Sequence, residues 1–119
     1  MSERVPARGC LRFYHRGGMA QYEFRLYVTD ETGRSHRAAE NLRALCEDRL
    51  AGVYDIEVID VLIRPDLAEE DRIIATPTAI RRAPPPPRRV IGDLSELDLA
   101  ATALDLPEHE EMPDERAEA

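Results

Sequence analysis

The sequence has few of the residues that redox chemistry, metal binding or membrane insertion require. Its 119 residues include two cysteines and no tryptophan or lysine. Cys10 and Cys46 lie too far apart for a CxxC redox pair or a thiolate metal site. No apolar run approaches the roughly 18 residues of a membrane-spanning helix, and the N-terminus has no apolar secretion-signal core. We therefore expect a cytoplasmic protein that inserts in no membrane and keeps both thiols reduced.

Candidate catalytic groups are also poorly placed. His15, His36 and His109 lie in separate regions of the sequence, so their spacing does not suit metal ligation. Ser35 and His36 are neighbours at a predicted helix start, where adjacent side chains diverge and cannot form a nucleophile and base pair. No phosphate-binding glycine loop is present. The sequence accordingly predicts no enzyme, no metal site and no cofactor.

The charge balance argues against nucleic acid as a partner. The formal net charge is −8, and nonspecific binding to phosphates depends on clustered cations. The charge is unevenly distributed: residues 1–20 contain four arginines and one acid, whereas residues 107–119 contain six acids and one arginine. We interpret residues 1–20 as a flexible basic leader and residues 107–119 as an acidic disordered tail. Residues 21–106 form the one expected domain.

Strand and helix periodicities alternate within that domain. A two-residue period predicts a strand at 22–28, and a nearly continuous apolar run at 56–62 is typical of a strand buried on both faces. The remaining predicted elements are a helix near 38–50 capped by Ser35, a short helix from Asp66 to about Ala75 opened by a capping box, and strands at 78–83 and 88–93. A strand, helix and parallel strand in succession predict a right-handed crossover.

The segment after Ser95 fits two periodicities. Ser95 and Asp98 have the spacing of a capping box, which favours a helix starting at Ser95. The helical face would contain Leu97, Ala100, Ala101 and Leu104, and an alternating strand face would contain Leu97, Leu99, Ala101 and Ala103. A window this short does not decide between them. Periodicity therefore leaves both structures open for the C-terminal segment.

Several motifs, in this order, resemble the KaiB family of circadian-clock proteins. The resemblance runs from about Tyr22 to Leu106 and is carried by Leu26-Tyr-Val28, Gly52-Val-Tyr54, Val58-Ile-Asp-Val-Leu62, Leu67-Ala-Glu-Glu-Asp71, Ala75-Thr-Pro-Thr78, Arg88-Arg89 and Ile91-Gly-Asp-Leu-Ser95. It implies an α/β, thioredoxin-like βαβαββα single domain in which Pro77 occupies the position of a cis proline. The alternative is the family's ground-state arrangement, in which the C-terminal half is rearranged. Thr29-Asp-Glu-Thr32 stands where a redox thioredoxin has its CxxC, so disulfide exchange is not implied.

The resemblance implies a noncatalytic, fold-switching regulator that binds a KaiC-type ATPase ring in a clock or stress-response system. KaiA or a histidine kinase would be further partners, and the unbound protein would self-associate as a dimer or tetramer. The partner-binding residues implied by the family are Arg72 with Leu67, Ala68 and Asp71 nearby, and Arg37, Arg88 and Arg89. Two other functions stay open: a thioredoxin-fold oxidoreductase or transferase, and an adaptor or sensor module whose partner is not KaiC.

A fold switch would involve the C-terminal half. The residues assigned to it are Pro77, Pro84, Pro85, Pro86, Pro87, Ala103 and Asp105. Proline bonds isomerise slowly and could gate such a switch, although the four-proline run is equally well explained as a stiff turn. Ala103 occupies a place where many family members have glycine. Alanine favours a helix over glycine by roughly 0.8 to 1 kcal/mol, which predicts a roughly fivefold bias toward the thioredoxin-like state.

Overall fold

The computed structural model of the chain describes residues 10–16, 21–29, 33–50 and 53–107, the first segment by its backbone course alone. The elements formed by these residues are β1 (Cys10–Arg16), β2 (Tyr22–Val28), α1 (Gly33–Arg49), β3 (Tyr54–Asp60), α2 (Pro65–Glu70), β4 (Thr78–Ala83), β5 (Arg88–Ile91) and α3 (Leu97–Ala103). From β2 onward the order is the βαβαββα order predicted from the sequence.

The strands form one sheet in the order β1-β3-β2-β4-β5. β2 and β3 are parallel, and α1 supplies the crossover that a parallel pair requires. β1 is antiparallel to β3, β4 is antiparallel to β2, and β5 is antiparallel to β4. Six of the seven residues of β3 are buried, which confirms the prediction of a strand covered on both faces.

Each face of the sheet has its own core. The larger core lies under α1 and α3 and contains alternate residues of β2, including Phe24, Leu26 and Val28. The smaller core lies on the opposite face, where α2 covers Tyr27, Ile59 and Ile80. Successive strand residues point to opposite faces, so this division follows from the register of the sheet. The side of the sheet that carries α2 is therefore thinly covered.

The prediction of a flexible leader is wrong for residues 10–16. These residues form β1, which pairs with β3 from Arg12 opposite Val58 to Arg16 opposite Tyr54. The outer edge of β3 carries backbone donors and acceptors that need partners, and β1 supplies them. That requirement comes from a strand about 40 residues away, so local periodicity does not reveal it. The other leader residues, and the tail from residue 108 onward, lie outside the described residues.

Two predicted helix starts are also wrong. α1 begins at Gly33, so Ser35 lies within its first turn and is buried rather than capping. α2 begins at Pro65 and ends at Glu70, well before Ala75, and no side chain caps its first turn. Proline suits the first position of a helix because its φ is already fixed and its missing N–H would have no intrahelical partner. Pro65 therefore sets the start of α2, and Asp66 does not.

Packing decides the structure of the ambiguous C-terminal segment. The predicted capping box of Ser95 and Asp98 is also wrong: α3 starts at Leu97 after Glu96 and has no side-chain cap, the Ser95 N–H donates to Asp93 Oδ1 at 3.1 Å, and Asp98 Oδ1 accepts from Arg49. Ala100, Ala101 and Leu104 are buried, whereas Leu99 and Ala103 are exposed. This is the helical face and not the strand face. The described residues thus adopt the thioredoxin-like arrangement rather than the rearranged alternative.

Two further features bear on the sequence-based expectations. The Thr76–Pro77 bond is cis, as the thioredoxin-like fold implies, and the Ala83–Pro84 and Pro85–Pro86 bonds are cis as well. No helix among the described residues is both long enough and apolar enough to cross a bilayer.

Candidate partner-binding surface

The candidate surface consists of α2 and the turn that follows it. α2 has no fully buried residue, and Leu67 and Ala68 are half-buried against the smaller core. These two side chains therefore hold the helix on the sheet and leave only part of their area for a partner. The α2 surface consists of Leu67, Ala68, Asp71, Arg72 and Arg89.

Asp71 anchors the α2 surface to the sheet. Its Oδ2 accepts a hydrogen bond from Tyr27 Oη at 2.6 Å and one from Arg25 Nη1 at 3.1 Å, and Arg82 Nη1 lies 3.6 Å away. Tyr27 Oη also lies 3.1 Å from the Leu67 carbonyl oxygen. Because these partners come from β2 and β4, the Asp71 carboxylate is engaged within the domain. Its main role is structural, and a partner contact would be secondary.

The Tyr27 hydroxyl is a fixed donor in this cluster. Burial raises the pKa of Tyr27, and the hydrogen bond to Asp71 raises it further. The phenol therefore stays protonated at neutral pH and continues to donate to Asp71.

Arg72 differs from Asp71 in its availability. It follows α2 with a φ of 53°, in the left-handed region that few residues other than glycine adopt, and its side chain is exposed. Within the described part of the chain its guanidinium has no hydrogen-bond or ion-pair partner. Arg89 of β5 fixes the backbone at this point, because its guanidinium donates to the Asp71 carbonyl at 2.7 Å and to the Arg72 carbonyl at 3.3 Å. The backbone is thus held while the Arg72 side chain remains available.

The predicted basic positions do not form one surface. Strand alternation places the Arg88 side chain on the face opposite Arg89, where it is exposed. Arg37 lies on α1, and its Nε is 3.5 Å from Asp93 Oδ2. Arg37 and Arg88 therefore lie on the side of the sheet that α1 and α3 cover, separate from Arg72.

A buried guanidinium joins several of the residues assigned to a fold switch. Arg81 of β4 is 2% exposed and is not among the residues predicted from the sequence. Its Nε donates to the Leu104 carbonyl at 2.7 Å, Nη1 donates to the Pro84 carbonyl, and Nη2 donates to the Pro86 carbonyl at 3.3 Å. Asp105 Oδ2 lies 3.9 Å from Nη2. Arg81 thus connects β4, the proline run and the end of α3.

The other residues assigned to the switch lie around or away from this contact. Ala103 is the exposed last residue of α3, and Asp105 has a φ of 56° just beyond it. Pro85 and Pro87 are exposed, whereas Pro77 lies at the opposite end of β4, where its carbonyl accepts from the Gly92 N–H at 2.8 Å. A sequence signal for Arg81 does exist: two adjacent arginines in a strand point to opposite faces of the sheet, so Arg81 and Arg82 cannot both lie on the same face.

We expect Arg81→Met to lower the free energy of unfolding by about 3 kcal/mol, because buried carbonyl groups lose charged donors. Arg82→Met is the matched control. The Arg82 side chain is 42% exposed, so its loss should cost less than about 1 kcal/mol. Urea denaturation measures both, and faster amide exchange in α3 of Arg81→Met would locate the effect. Equal destabilisation by the two substitutions would contradict the assigned role.

The thiol chemistry of a redox thioredoxin is missing from the described site. Cys46 is fully buried in the larger core, and burial raises the pKa of its thiol. At the end of β2, Thr29 Oγ1 lies 2.6 Å from Thr76 Oγ1, next to Pro77. The described residues also contain no group of three or more His, Cys, Asp or Glu side chains that could hold a metal ion. The site offers a hydrogen-bonded pair of hydroxyls where a nucleophilic thiolate would be needed.

In a Cys10→Ser background, Cys46 should react with a disulfide reagent at least about 100-fold more slowly in the native protein than in the urea-unfolded protein, because the thiol is protonated and inaccessible. The absorbance of the aromatic thiolate that the reagent releases measures both reaction rates. A native rate close to that of the unfolded chain would show that Cys46 is reachable, which would contradict its placement in the core.

The family model of the KaiB domain matches residues 25–106. The circadian clock oscillator protein KaiB of Prochlorococcus marinus (strain MIT 9312) is 51% identical over 85 residues, which are 71% of this chain and 81% of that protein. The chain belongs to the KaiB family. The KaiB of Synechococcus sp. (strain RCC307) is 49% identical over 94 residues, which cover 79% of this chain and 84% of that protein.

Solved structures confirm the fold class. The solution structure of the N-terminal domain of Synechococcus elongatus SasA aligns with a TM-score of 0.58 at 19% identity, covering 86% of this chain and 89% of that domain. Oxidised mitochondrial thioredoxin 3 from Saccharomyces cerevisiae aligns with a TM-score of 0.58 at 19% identity, covering 73% of this chain and 80% of that protein. At this identity the likeness shows the fold alone, which is thioredoxin-like.

Membership of the KaiB family assigns the chain to a regulatory class. The matching relatives are named as oscillator proteins of the circadian clock, and KaiB proteins are regulators rather than enzymes. The resemblance and the fold class predicted from the sequence are both confirmed.

Proposed function

We propose that this KaiB-family chain is a noncatalytic regulator that docks its α2 surface on a KaiC-type ATPase ring. The observation that carries the proposal is the state of Arg72, whose exposed guanidinium has no partner among the described residues while its backbone is fixed by Arg89. A guanidinium of this kind can form a bidentate pair with a carboxylate of another protein. Arginine is also frequent among the residues that dominate binding energy at interfaces.

The comparisons support a clock-protein partner. The relatives are named as circadian clock oscillator proteins, and the chain shares its fold with the N-terminal domain of SasA. In this proposal the chain acts in the cytoplasm within a clock or stress-response system. KaiA or a histidine kinase are its further partners, and a dimer or tetramer is its unbound form. The alternative is an adaptor that binds some other protein, because an exposed arginine on the α2 surface can pair with a carboxylate of many different proteins.

Fold switching is the second part of the proposal. The segment of α3 fits both a helical and an alternating pattern, and the Arg81 contacts that hold its end in place are polar. Two packings of one sequence can differ by only a few kcal/mol, so loss of these contacts would allow a rearranged C-terminal half. The thioredoxin-like form is the one that presents the α2 surface together with β5.

The test compares Arg72→Glu with Asp71→Ala. The purified chain is mixed with the KaiC-like ring ATPase of its native host, and the complex is followed by size-exclusion chromatography and by biolayer interferometry. Arg72→Glu should weaken binding at least about tenfold and leave the unfolding free energy unchanged, because Arg72 contributes contacts only to the partner. Asp71→Ala should lower the unfolding free energy by about 1–3 kcal/mol, because Tyr27 and Arg25 lose their acceptor.

Arg34→Glu is the matched charge control for Arg72→Glu. Arg34 is exposed on α1, on the other side of the sheet, so its reversal should leave ring binding within about twofold. If Arg72→Glu binds like the parent chain, the α2 surface is not the docking site. If the parent chain binds no ring ATPase from its host, the proposed function itself is wrong.

A separate prediction concerns the balance between the two folds. Ala103→Gly should reduce the population in which residues 97–103 are helical by roughly fivefold relative to the rearranged form, because glycine disfavours a helix by about 0.8 to 1 kcal/mol. Backbone NMR chemical shifts of these residues give the populations. Ala103→Gln, which keeps a helix-favouring residue, should behave like the parent chain. An unchanged population in the glycine variant would show that α3 has no accessible alternative.

A further inference from the structure

β5 leaves one edge of the sheet open in the described part of the chain. It pairs with β4 on one side and is the last strand of the sheet on the other. The Gly92 N–H donates to the Pro77 carbonyl, across from the start of β4. In an antiparallel pair every second residue bonds to the partner strand, so the backbone groups of Val90 and Arg88 also point toward β4. The N–H and C=O groups of Arg89 and Ile91 consequently point outward, where no described residue pairs with them. Two donors and two acceptors are available to an added strand.

An apolar groove runs beside this edge, between β5 and α3. It has a volume of about 290 Å³, and its lining includes the apolar residues Val90, Leu99, Ala100 and Ala103 together with the polar residues Asp93, Ser95 and Glu96. Leu99 is 67% exposed and Ile91 is 54% exposed, although both are large and apolar. An extended chain paired with β5 would point alternate side chains into the groove beside Val90. The groove therefore provides side-chain specificity next to the backbone groups that an added strand would use.

The charges along β5 indicate the chemistry of the occupant. Arg88 and Arg89 form the first half of the strand, and the Arg88 guanidinium has no partner among the described residues. Val90 and Ile91 form the second half. An added strand therefore meets the unpartnered guanidinium of Arg88, then Arg89, whose guanidinium is bonded to the Asp71 and Arg72 carbonyls, and then two apolar residues. A second copy of β5 would bring four arginines into one short ladder, which disfavours pairing of the chain with itself.

We propose that β5 and the adjoining groove bind an extended segment of a partner protein with one acidic half and one apolar half, as an added sheet strand. The acidic residues lie beside Arg88, whose guanidinium has no partner among the described residues, and the apolar residues lie beside Val90 and over Leu99. Backbone pairing with Arg89 and Ile91 supplies affinity, and the groove selects side chains, as in other cases of strand addition. This site shares Arg89 with the α2 surface but does not use Arg72, so Arg72→Glu and Leu99→Asp test the two proposals separately.

The test uses two capped hexapeptides, Val-Val-Val-Glu-Glu-Glu and its reversed sequence, because pairing can be parallel or antiparallel. Binding to the full chain is measured by fluorescence anisotropy and by NMR amide shifts. One of the two peptides should bind, shift the Arg89 and Ile91 amides and protect them from exchange. Replacing the three glutamates by lysines should weaken binding at least about tenfold.

Three variants locate the site. Leu99→Asp replaces apolar groove lining by a carboxylate, Arg88→Glu reverses the charge, and Ile91→Pro removes an outward N–H without touching the bonds to β4. Each variant should weaken binding of the peptide at least about tenfold. Leu62→Asp is the control, because Leu62 is as exposed as Leu99, at 67%, but follows β3; it should leave peptide binding within about twofold. The Leu99 and Arg88 variants change exposed residues, so they keep the test valid if the proline variant fails to fold.

Several outcomes would overturn the proposal. These are the absence of binding by either glutamate peptide, equal binding of the lysine peptides, and binding that Leu99→Asp and Arg88→Glu leave unchanged. Concentration-dependent dimerisation that Ile91→Pro abolishes, without peptide binding by the parent chain, would show instead that a second copy occupies the edge.

Discussion

The buried guanidinium of Arg81 is the contact on which the C-terminal half depends. A cation removed from water is tolerated only where hydrogen-bond acceptors replace its hydration, and Arg81 finds them in the carbonyl groups of Leu104, Pro84 and Pro86. Those carbonyls belong to the end of α3 and to the proline run. One side chain of β4 therefore positions both segments, and with them the edge strand β5 and the groove beside α3.

The two halves of the domain are held together differently. β2, β3 and α1 share the large apolar core, whereas α3 contributes mainly small residues and is connected to α1 by polar contacts. Arg49 donates to Asp98 Oδ1 and to the Pro107 carbonyl, and Asn41 donates to the Asp93 carbonyl. When the segment moves away, hydrogen bonds to water can replace such bonds at modest cost in free energy. This difference in attachment supports the proposal that the C-terminal half can repack while the N-terminal half remains.

How far the sequence predicts the site depends on how many residues separate the partners of each interaction along the chain. The buried strand β3 is encoded locally by its apolar run, and the cis bond before Pro77 was implied by the family resemblance; both agree with the structure. The predicted group of basic residues separates into two faces, because the faces are set by the register of β4 and β5. Asp71 resembles a surface acid in the sequence, yet β2 and β4 bring Tyr27, Arg25 and Arg82 to it. Only the guanidinium of Arg72 is left available in this cluster among the described residues.

By itself the sequence determined the family, the order of elements from β2 onward and the absence of a CxxC pair, because motifs and periodicity are properties of neighbouring residues. It left α3 undecided between helix and strand, since a segment of eight residues fits both periods. Tertiary structure decided that question by burying Ala100, Ala101 and Leu104 together. It also decided that residues 10–16 form β1 and that Arg81 points inward, because both depend on backbone groups far away in the chain that must find hydrogen-bond partners.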